Sequence, residues 1–367
     1  MIVGIPKEIK SNENRVAITP VGVSELSLRG HTVYVQKNAG LGSMITDDDY
    51  RKAGAEILGT GEEVWTRSEM IIKVKEPLAS EYPFMTDKLI FTYLHLAAVG
   101  PLTKAMIESQ CVGIAYETIE SDNGSLPLLA PMSEVAGKLA PQVGAQCLEA
   151  ATGGSGILLA GVSGVPSAKV AIIGAGVSGR CACEIALGMG AQVTIIDVMS
   201  DKLRYVHEIH QGKVITLMSN QGNIGQAVQE SDLVIGAVLI HGAKAPKLVT
   251  KSMLKSMKPR SAFVDISVDQ GGCAETTRPT THDAPTFVEE NIIHYCVANM
   301  PGIVPQTSTY ALTNSTLRYA IDLADKGFEK AVAENAALRK GINICRGKVT
   351  YKGVADAWDM PYDPYVC

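Results

Sequence analysis

The chain has 367 residues, 46% of them apolar and 19% charged, with 33 Lys and Arg against 38 Asp and Glu for a formal charge of −5. At about 150 residues per domain this predicts two or three domains, and the charge balance offers no basic footprint for nucleic acid. Apolar runs such as residues 170–173 and 233–240 stop well short of the ~20 residues of a membrane span, and residues 1–8 lack the basic region and apolar core of a leader, so a cytoplasmic protein with no membrane partner is expected.

Short apolar runs alternate with amphipathic stretches from the start. Strands are predicted at residues 2–5, 32–35, 70–74, 89–93 and 112–115, with a helix at 21–28 stopped by Gly30. Continuous apolar runs of this length read as buried parallel strands joined by crossover helices. Residues 134–161 read as a long connecting helix, with Ser133 as N-cap and Pro141 inside it. A second series then places strands at 169–173, 192–197, 213–217, 232–238, 261–266 and 293–298, the six strands of a complete dinucleotide fold. After Pro305 the pattern is helical at 311–325 and 331–340, with no further strand series. The fold class is therefore α/β, with two Rossmann-like, doubly wound parallel-sheet domains. The expected division is 1–128, 129–306 and a helical segment 307–367 that packs back on the first domain or on the interface.

The eight cysteines are scattered from Cys111 to Cys367. The close pair Cys181 and Cys183 has neither the spacing nor the nearby histidines of a zinc site, so no metal is expected and the thiols read as reduced.

Gly174-Ala175-Gly176-Val177-Ser178-Gly179 follows a predicted strand and opens a predicted helix. In that context Gly174 serves a tight turn, Gly176 admits a pyrophosphate to the backbone, and Gly179 lets the helix lie close to the sheet. Asp197, ending the next strand, suits the adenosine ribose hydroxyls and repels a 2′-phosphate, which favours NAD over NADP. In the first series Arg15, Lys75 and His95 each follow a predicted strand, on the rim where open parallel sheets bind ligands. Arg offers a carboxylate fork, Lys a point charge and His a proton acceptor near neutrality, a set suited to a small α-keto or α-amino acid. Asp269 follows the strand at 261–266; it reads either as a cleft carboxylate or as an Asx-turn residue shaping the loop before Gly271 and Gly272. His31, His207, His210 and His282 read as surface groups, Glu8, Lys73 and Glu117 as members of structural ion pairs, and His241 is left without a role.

Four segments carry a resemblance over nearly the whole length. They are Gly4-Ile5-Pro6-Lys7-Glu8 with Asn12-Glu13-Asn14-Arg15-Val16-Ala17-Ile18-Thr19-Pro20, then Lys73-Val74-Lys75-Glu76-Pro77, Phe91-Thr92-Tyr93-Leu94-His95-Leu96-Ala97, and residues 265–272. In these the chain resembles the L-alanine dehydrogenases of the alanine dehydrogenase and pyridine nucleotide transhydrogenase family. The resemblance implies an NAD-dependent amino-acid dehydrogenase that interconverts L-alanine with pyruvate and ammonium, as a cytoplasmic homohexamer with a discontinuous substrate domain. It places Arg15 and Lys75 on the substrate and makes His95 and Asp269 the acid/base pair. Beside Gly174, Gly176, Gly179 and Asp197 it implies cofactor contacts at Ser133, Val177, Ser178, Lys202, Ser219, Val238, Leu239, Ile266, Ser267, Val268, Asp269, Arg278, Val297, Ala298, Asn299 and Met300, with backbone contacts expected at 266–268. Two alternatives are the NAD-binding component of a transhydrogenase, which has no need of Arg15, Lys75 and His95 together, and a non-catalytic NAD-sensing module.

Overall fold

The computed structural model describes residues 1–238 and 245–366. Its contacts divide the chain into two compact units, Met1–Met132 with Val304–Cys367, and Ser133–Ile303. In chain order the strands are β1 (Ile2–Ile5), β2 (Thr32–Gln36), β3 (Glu56–Leu58), β4 (Met70–Ile72), β5 (Leu89–Thr92), β6 (Val112–Ala115), β7 (Lys169–Ile173), β8 (Gln192–Asp197), β9 (Ile215–Met218), β10 (Leu233–Gly236), β11 (Ala262–Asp265), β12 (Thr286–Glu289), β13 (Ile292–Tyr295), β14 (Ile342–Cys345) and β15 (Lys348–Val349).

The first unit is built on the sheet β3-β2-β1-β4-β5-β6-β14-β15. Strands β1 to β6 are parallel throughout. Strand order reverses between β1 and β4, so the loops after these two strands diverge and leave a crevice at their carboxyl ends. Arg15 lies in the loop after β1 and Lys75 in the loop after β4. The middle strands are buried on both faces, as Met70-Ile71-Ile72 illustrates, because helices cover both sides of a parallel sheet. Proline starts the helix Pro20–Leu28, and capping boxes at Thr46 and Thr60 start two short ones.

The second unit repeats the plan as β9-β8-β7-β10-β11-β13-β12, parallel except for β12, which pairs antiparallel with β13 at one edge. Here the order reverses between β7 and β10. Gly174 follows the first of these strands and Val238 the second.

The structure departs from the sequence reading at three places. The long helix spans Ala130–Leu148, so Ser133 lies inside it and is not its N-cap, and the chain leaves it well before residue 161. Gly153 and Gly156 sit at φ of 88° and 74°, a conformation no right-handed helix continues through. The tail is also not wholly helical. After the helix Pro305–Lys326 it adds β14, antiparallel to β6, and β15, and Ile344, Val349, Val354 and Ala355 join the buried cluster around Trp65, Ile71, Ile90 and Leu102. Finally, β3 and β12 extend the two sheets beyond the expected strands.

Candidate active site

In the first unit Arg15, Lys75 and His95 follow β1, β4 and β5, three neighbouring strands. Arg15 is 2% exposed and is held by Glu13, whose Oε1 accepts from Nε at 2.7 Å and whose Oε2 accepts from Nη2 at 2.5 Å. Its Nη1 lies 3.0 Å from the Met132 sulfur. Burial alone would weaken the cation, but the hydrogen bond and charge of Glu13 more than offset this and raise its pKa, so Arg15 stays charged.

Lys75 is half-buried, and its backbone N–H approaches Glu8 Oε1 at 3.3 Å. The same oxygen accepts from the Val74 N–H at 2.6 Å, while Oε2 pairs with Lys73 at 3.2 Å. Lys73, fully buried, pairs also with Glu81 at 2.9 Å. The Glu8 and Lys73 ion pair expected from sequence is present and fixes the backbone from which Lys75 projects. Burial pushes the Glu8 carboxyl up, against the pull of Lys73, whereas the two carboxylates around Lys73 outweigh its own burial and raise it.

His95 adopts φ of 49°, a left-handed conformation uncommon outside glycine. Glu117 holds it there, accepting the His95 N–H at 2.6 Å and the Leu94 N–H at 3.2 Å. Glu117 therefore clamps backbone, where the sequence suggested an ion pair. The imidazole stacks on Tyr93 at 5.9 Å between centroids, and the buried Tyr93 hydroxyl donates to the Leu128 carbonyl at 2.5 Å. Burial, partly countered by the charge of Arg15, lifts the Tyr93 phenol far above its usual range and keeps it neutral.

In the second unit the glycine loop has the shape its spacing predicts. Gly174 sits at φ of 105°, and a Cβ there would lie 2.4 Å from the Ala237 carbonyl oxygen. A Cβ on Gly179 would lie 1.8 Å from the Gly174 carbonyl oxygen, whereas one on Gly176 would meet nothing within 4 Å among the described residues. Gly176 also caps the helix Val177–Gly188. The loop thus offers open space in front of helix N–H groups, the environment a pyrophosphate requires. Gly137, in the preceding long helix, approaches the Ser178 carbonyl so closely that a Cβ would come within 2.3 Å. The half-buried Ser133 lies one turn earlier on the same helix.

Asp197 is 8% exposed; Oδ2 accepts the Ala175 N–H at 2.7 Å and Oδ1 the Met199 N–H at 2.8 Å. Each oxygen keeps a further lone pair for a ribose hydroxyl. Lys202 Nζ stands 4.0 Å away, and the Ser219 N–H donates to the Asp197 carbonyl at 2.9 Å. Val238 donates its N–H to Ser267 Oγ at 2.9 Å, joining the loops after β10 and β11. Leu239 and His241 lie outside the described residues.

Asp265 shapes the next loop. It accepts from Ser267 N and Cys273 N, each at 2.9 Å, and from Thr277 Oγ1 at 2.5 Å, and so closes the short 3-10 helix Ile266–Gln270 into a turn. Asp269 is exposed on that turn and accepts weakly from the Asn299 N–H at 3.3 Å. Asn299 is itself left-handed, at φ of 59°. Val297, Ala298, Asn299 and Met300 follow β13, which places Asn299 beside Asp269. Arg278 stacks over the Phe287 ring at 4.0 Å on the edge strand β12.

Two histidines are less peripheral than their polar neighbours suggested. His31 pairs with Asp325 at 2.8 Å, and His282 Nε2 lies 3.2 Å from the Asn299 carbonyl. Sequence reasoning missed Glu13 and Asp265; the available signals were Glu13's place two residues before Arg15 and Asp265's at the end of a strand, next to a turn.

A doubly wound unit with an open glycine loop, and a second such unit with Arg, Lys and His at its crevice, define a dinucleotide-dependent dehydrogenase. Comparison with known proteins narrows the class. The family model "Alanine dehydrogenase/PNT, N-terminal domain" matches residues 4–136, and "Alanine dehydrogenase/PNT, C-terminal domain" matches residues 140–352. The chain is 57% identical over 366 residues to an alanine dehydrogenase of Methanococcus maripaludis, covering 99% of this chain and 98% of that one. It is 56% identical over 365 residues to that of Geobacillus stearothermophilus, with the same coverages of 99% and 98%. Among solved structures an L-alanine dehydrogenase superposes with a TM-score of 0.95 at 46% identity, over 98% of this chain and 99% of the other. A transhydrogenase from Sinorhizobium meliloti does so with 0.82 at 25%, over 96% and 99%. The chain belongs to the alanine dehydrogenase/PNT family.

Proposed function

We propose that the chain catalyses the reversible, NAD-dependent oxidative deamination of L-alanine to pyruvate and ammonium, acting on the CH–NH2 group of the amino acid. The observation that carries this reading is the placement of Arg15, Lys75 and His95 behind three neighbouring strands of one parallel sheet. A transhydrogenase component or a nucleotide sensor has no use for that set.

Glu13 occupies the Nε edge of the Arg15 guanidinium and so aims the opposite edge, where Nη1 lies 3.0 Å from the Met132 sulfur. A substrate carboxylate is a far stronger acceptor than sulfur and takes that position. Lys75 binds the carboxylate or the oxygen that becomes the pyruvate carbonyl. Held in the second unit, NAD would supply the acceptor for the hydride of the alanine Cα. Loss of that hydride and of one ammonium proton leaves an iminium; water adds to its carbon, and ammonia leaves as the new hydroxyl gives up its proton and the carbonyl forms. His95 takes the proton of the attacking water and delivers one to the departing amine, while Asp269 stabilises positive charge on the nitrogen. Gly174, Gly176, Val177, Ser178 and Gly179 would hold the pyrophosphate and Asp197 the adenosine ribose. Ser133, Lys202, Ser219, Val238, Leu239, Ile266, Ser267, Val268, Arg278 and residues 297–300 would line the rest.

The same reading makes the protein a cytoplasmic homohexamer. Among the described residues no helix is long and apolar enough to cross a membrane, and the seven described cysteines are free thiols. The deciding experiment is NADH formation measured spectrophotometrically over a panel of amino acids. Alanine should be turned over best, and no turnover with any amino acid would end the proposal. Light scattering tests the assembly, and a fully active monomer would exclude the hexamer as the working form.

A further inference from the structure

Glu76 follows Lys75 in the loop after β4, and none of the roles above uses it. It is 6% exposed. Its Oε1 is bound by Lys10 Nζ, from a side chain that is 40% exposed, and its Oε2 is buried with no hydrogen-bond partner among the described residues. A buried carboxylate oxygen left unmet is costly and calls for a role. Burial works against ionisation of Glu76, but the hydrogen bond from Lys10 and the charges of His95, Lys10 and Lys75 outweigh it and hold the carboxyl below its usual range. The other titratable group facing it is Tyr82. His95 is further flanked by Tyr93 and by Glu117, whose oxygens are engaged with backbone N–H groups. The end of β5 is tied to the loop after β4 where Thr92 Oγ1 donates to the Lys75 carbonyl at 3.1 Å, which sets Glu76 and His95 in adjacent loops behind neighbouring strands, and Glu76 is a buried carboxylate with one oxygen still to be used.

We propose that Glu76 is the positioning residue for His95, its Oε2 accepting one imidazole N–H when the other ring nitrogen has taken the proton of the attacking water. Lys10 ties down Oε1 and leaves Oε2 as the acceptor. The proton on His95 passes to the departing amine, and Glu76 exchanges none; it stabilises the protonated ring and fixes the direction in which that ring gives its proton up. The inference rests on the assignment of His95 to proton transfer.

The test compares kcat for alanine oxidation against pH in the wild type, Glu76→Gln, Glu76→Asp and Lys10→Met, with His95→Ala alongside and NADH binding as the control for folding. A carboxylate favours the protonated ring, so its loss in Glu76→Gln should move the rising limb by about half a pH unit or more toward acid and lower the plateau about tenfold. Glu76→Asp should restore part of both. Lys10→Met leaves the carboxylate without its partner and should move the limb the other way. Unmoved limbs, or shifts of one sign in Glu76→Gln and Lys10→Met, overturn the proposal. If Glu76→Gln does not bind NADH, the Lys10→Met limb decides alone, and no shift there overturns it. An inactive His95→Ala with an unmoved Glu76→Gln limb removes only the role of Glu76, whereas an active His95→Ala removes the assignment of His95 and the positioning role with it.

Discussion

Glu13 and Arg15 form a two-point ion pair inside the first unit, with side chains 0% and 2% exposed and nitrogen to oxygen distances of 2.7 and 2.5 Å. Two charges this deeply buried gain little net stability from each other, but removing one strands the other at a cost of about 3–5 kcal/mol. The pair is better understood as a device that fixes the direction of the guanidinium.

Glu13→Gln should therefore weaken alanine and pyruvate binding and lower the thermal midpoint while leaving NADH binding intact. Arg15→Lys should also raise the KM for both substrates with a smaller change in kcat, because one ammonium cannot serve Glu13 and a substrate carboxylate in the geometry of a planar fork. Lys75→Ala should lower kcat as well, since Lys75 also meets the developing carbonyl oxygen. A purely kcat effect in Arg15→Lys would contradict this division.

The glycine loop predicts opposite failures at two glycines. A Cβ at Gly179 would meet the Gly174 carbonyl oxygen at 1.8 Å, a collision of helix with loop backbone, so Gly179→Ala should destabilise the second unit and abolish NADH binding together. A Cβ on Gly176 would meet none of the described residues within 4 Å, so Gly176→Ala should fold like the wild type yet bind NADH at least about tenfold more weakly, since the methyl fills space meant for the pyrophosphate. Thermal denaturation and NADH fluorescence separate the two. Equal melting curves for both variants would refute the assignment.

Much of this architecture was legible as pattern. Apolar runs such as residues 170–173 and 89–91 lie in doubly covered sheets and announce themselves. By contrast β3 carries Glu56 at its start, and β12 alternates exposed and half-buried residues along a sheet edge, so neither forms a run. The strand β14 was hidden because Asn343 interrupts it; in the structure this side chain is 2% exposed and donates to Thr118 Oγ1 at 2.7 Å, a partner distant in sequence. The cations at the rim were legible for the same reason that their partners were not. Loop position betrays Arg15 and Lys75, but a carboxylate is expected at the surface by default, and only the folded chain shows that Glu8, Glu13 and Glu81 are buried.

Asp197 should set the cofactor preference. Its carboxylate meets a 2′-phosphate with like charge, and it also accepts two backbone N–H groups that shape the loop. Asp197→Ser should narrow the preference for NADH over NADPH, mainly by raising the KM for NADH. A wild-type enzyme equally efficient with both cofactors would show that Asp197 does not discriminate.

The thiols give a test independent of activity. Burial pushes Cys111 and Cys147 up to about 11 and Cys183 up to about 12, so few thiolates exist near neutrality. Cys181 is raised by burial too, with Lys138 drawing it back, and it is only half-buried. In native protein at pH 7.5 a disulfide reagent should modify Cys181 well before Cys111, Cys147 or Cys183, and in denaturant all should react at one rate. Mass mapping that found Cys111 modified first would contradict the packing of the first unit.

His95 and Asp269 bear on the chemistry itself. His95 is held at φ of 49° by Glu117, an arrangement that costs conformational energy and spends a half-buried carboxylate on two backbone N–H groups. Such a clamp is reasonable where the direction of a side chain matters more than local stability. Asp269 sits exposed on a turn that Asp265 builds, with a long contact to the Asn299 N–H that a stronger donor would displace. Neither residue belongs to the glycine loop or to Asp197, so His95→Ala and Asp269→Asn should keep NADH affinity within about twofold of wild type while losing roughly 10²–10⁴ in kcat for alanine oxidation, the usual loss when a general acid or base is removed. Glu117→Gln, which weakens the clamp without touching the imidazole, should fall between them and the wild type. NADH fluorescence titration and steady-state rates across pH give both readouts. Retention of more than about a tenth of wild-type kcat by His95→Ala or Asp269→Asn would remove that residue from the proton-transfer step, and loss of NADH binding would reassign it to the cofactor site or to the fold.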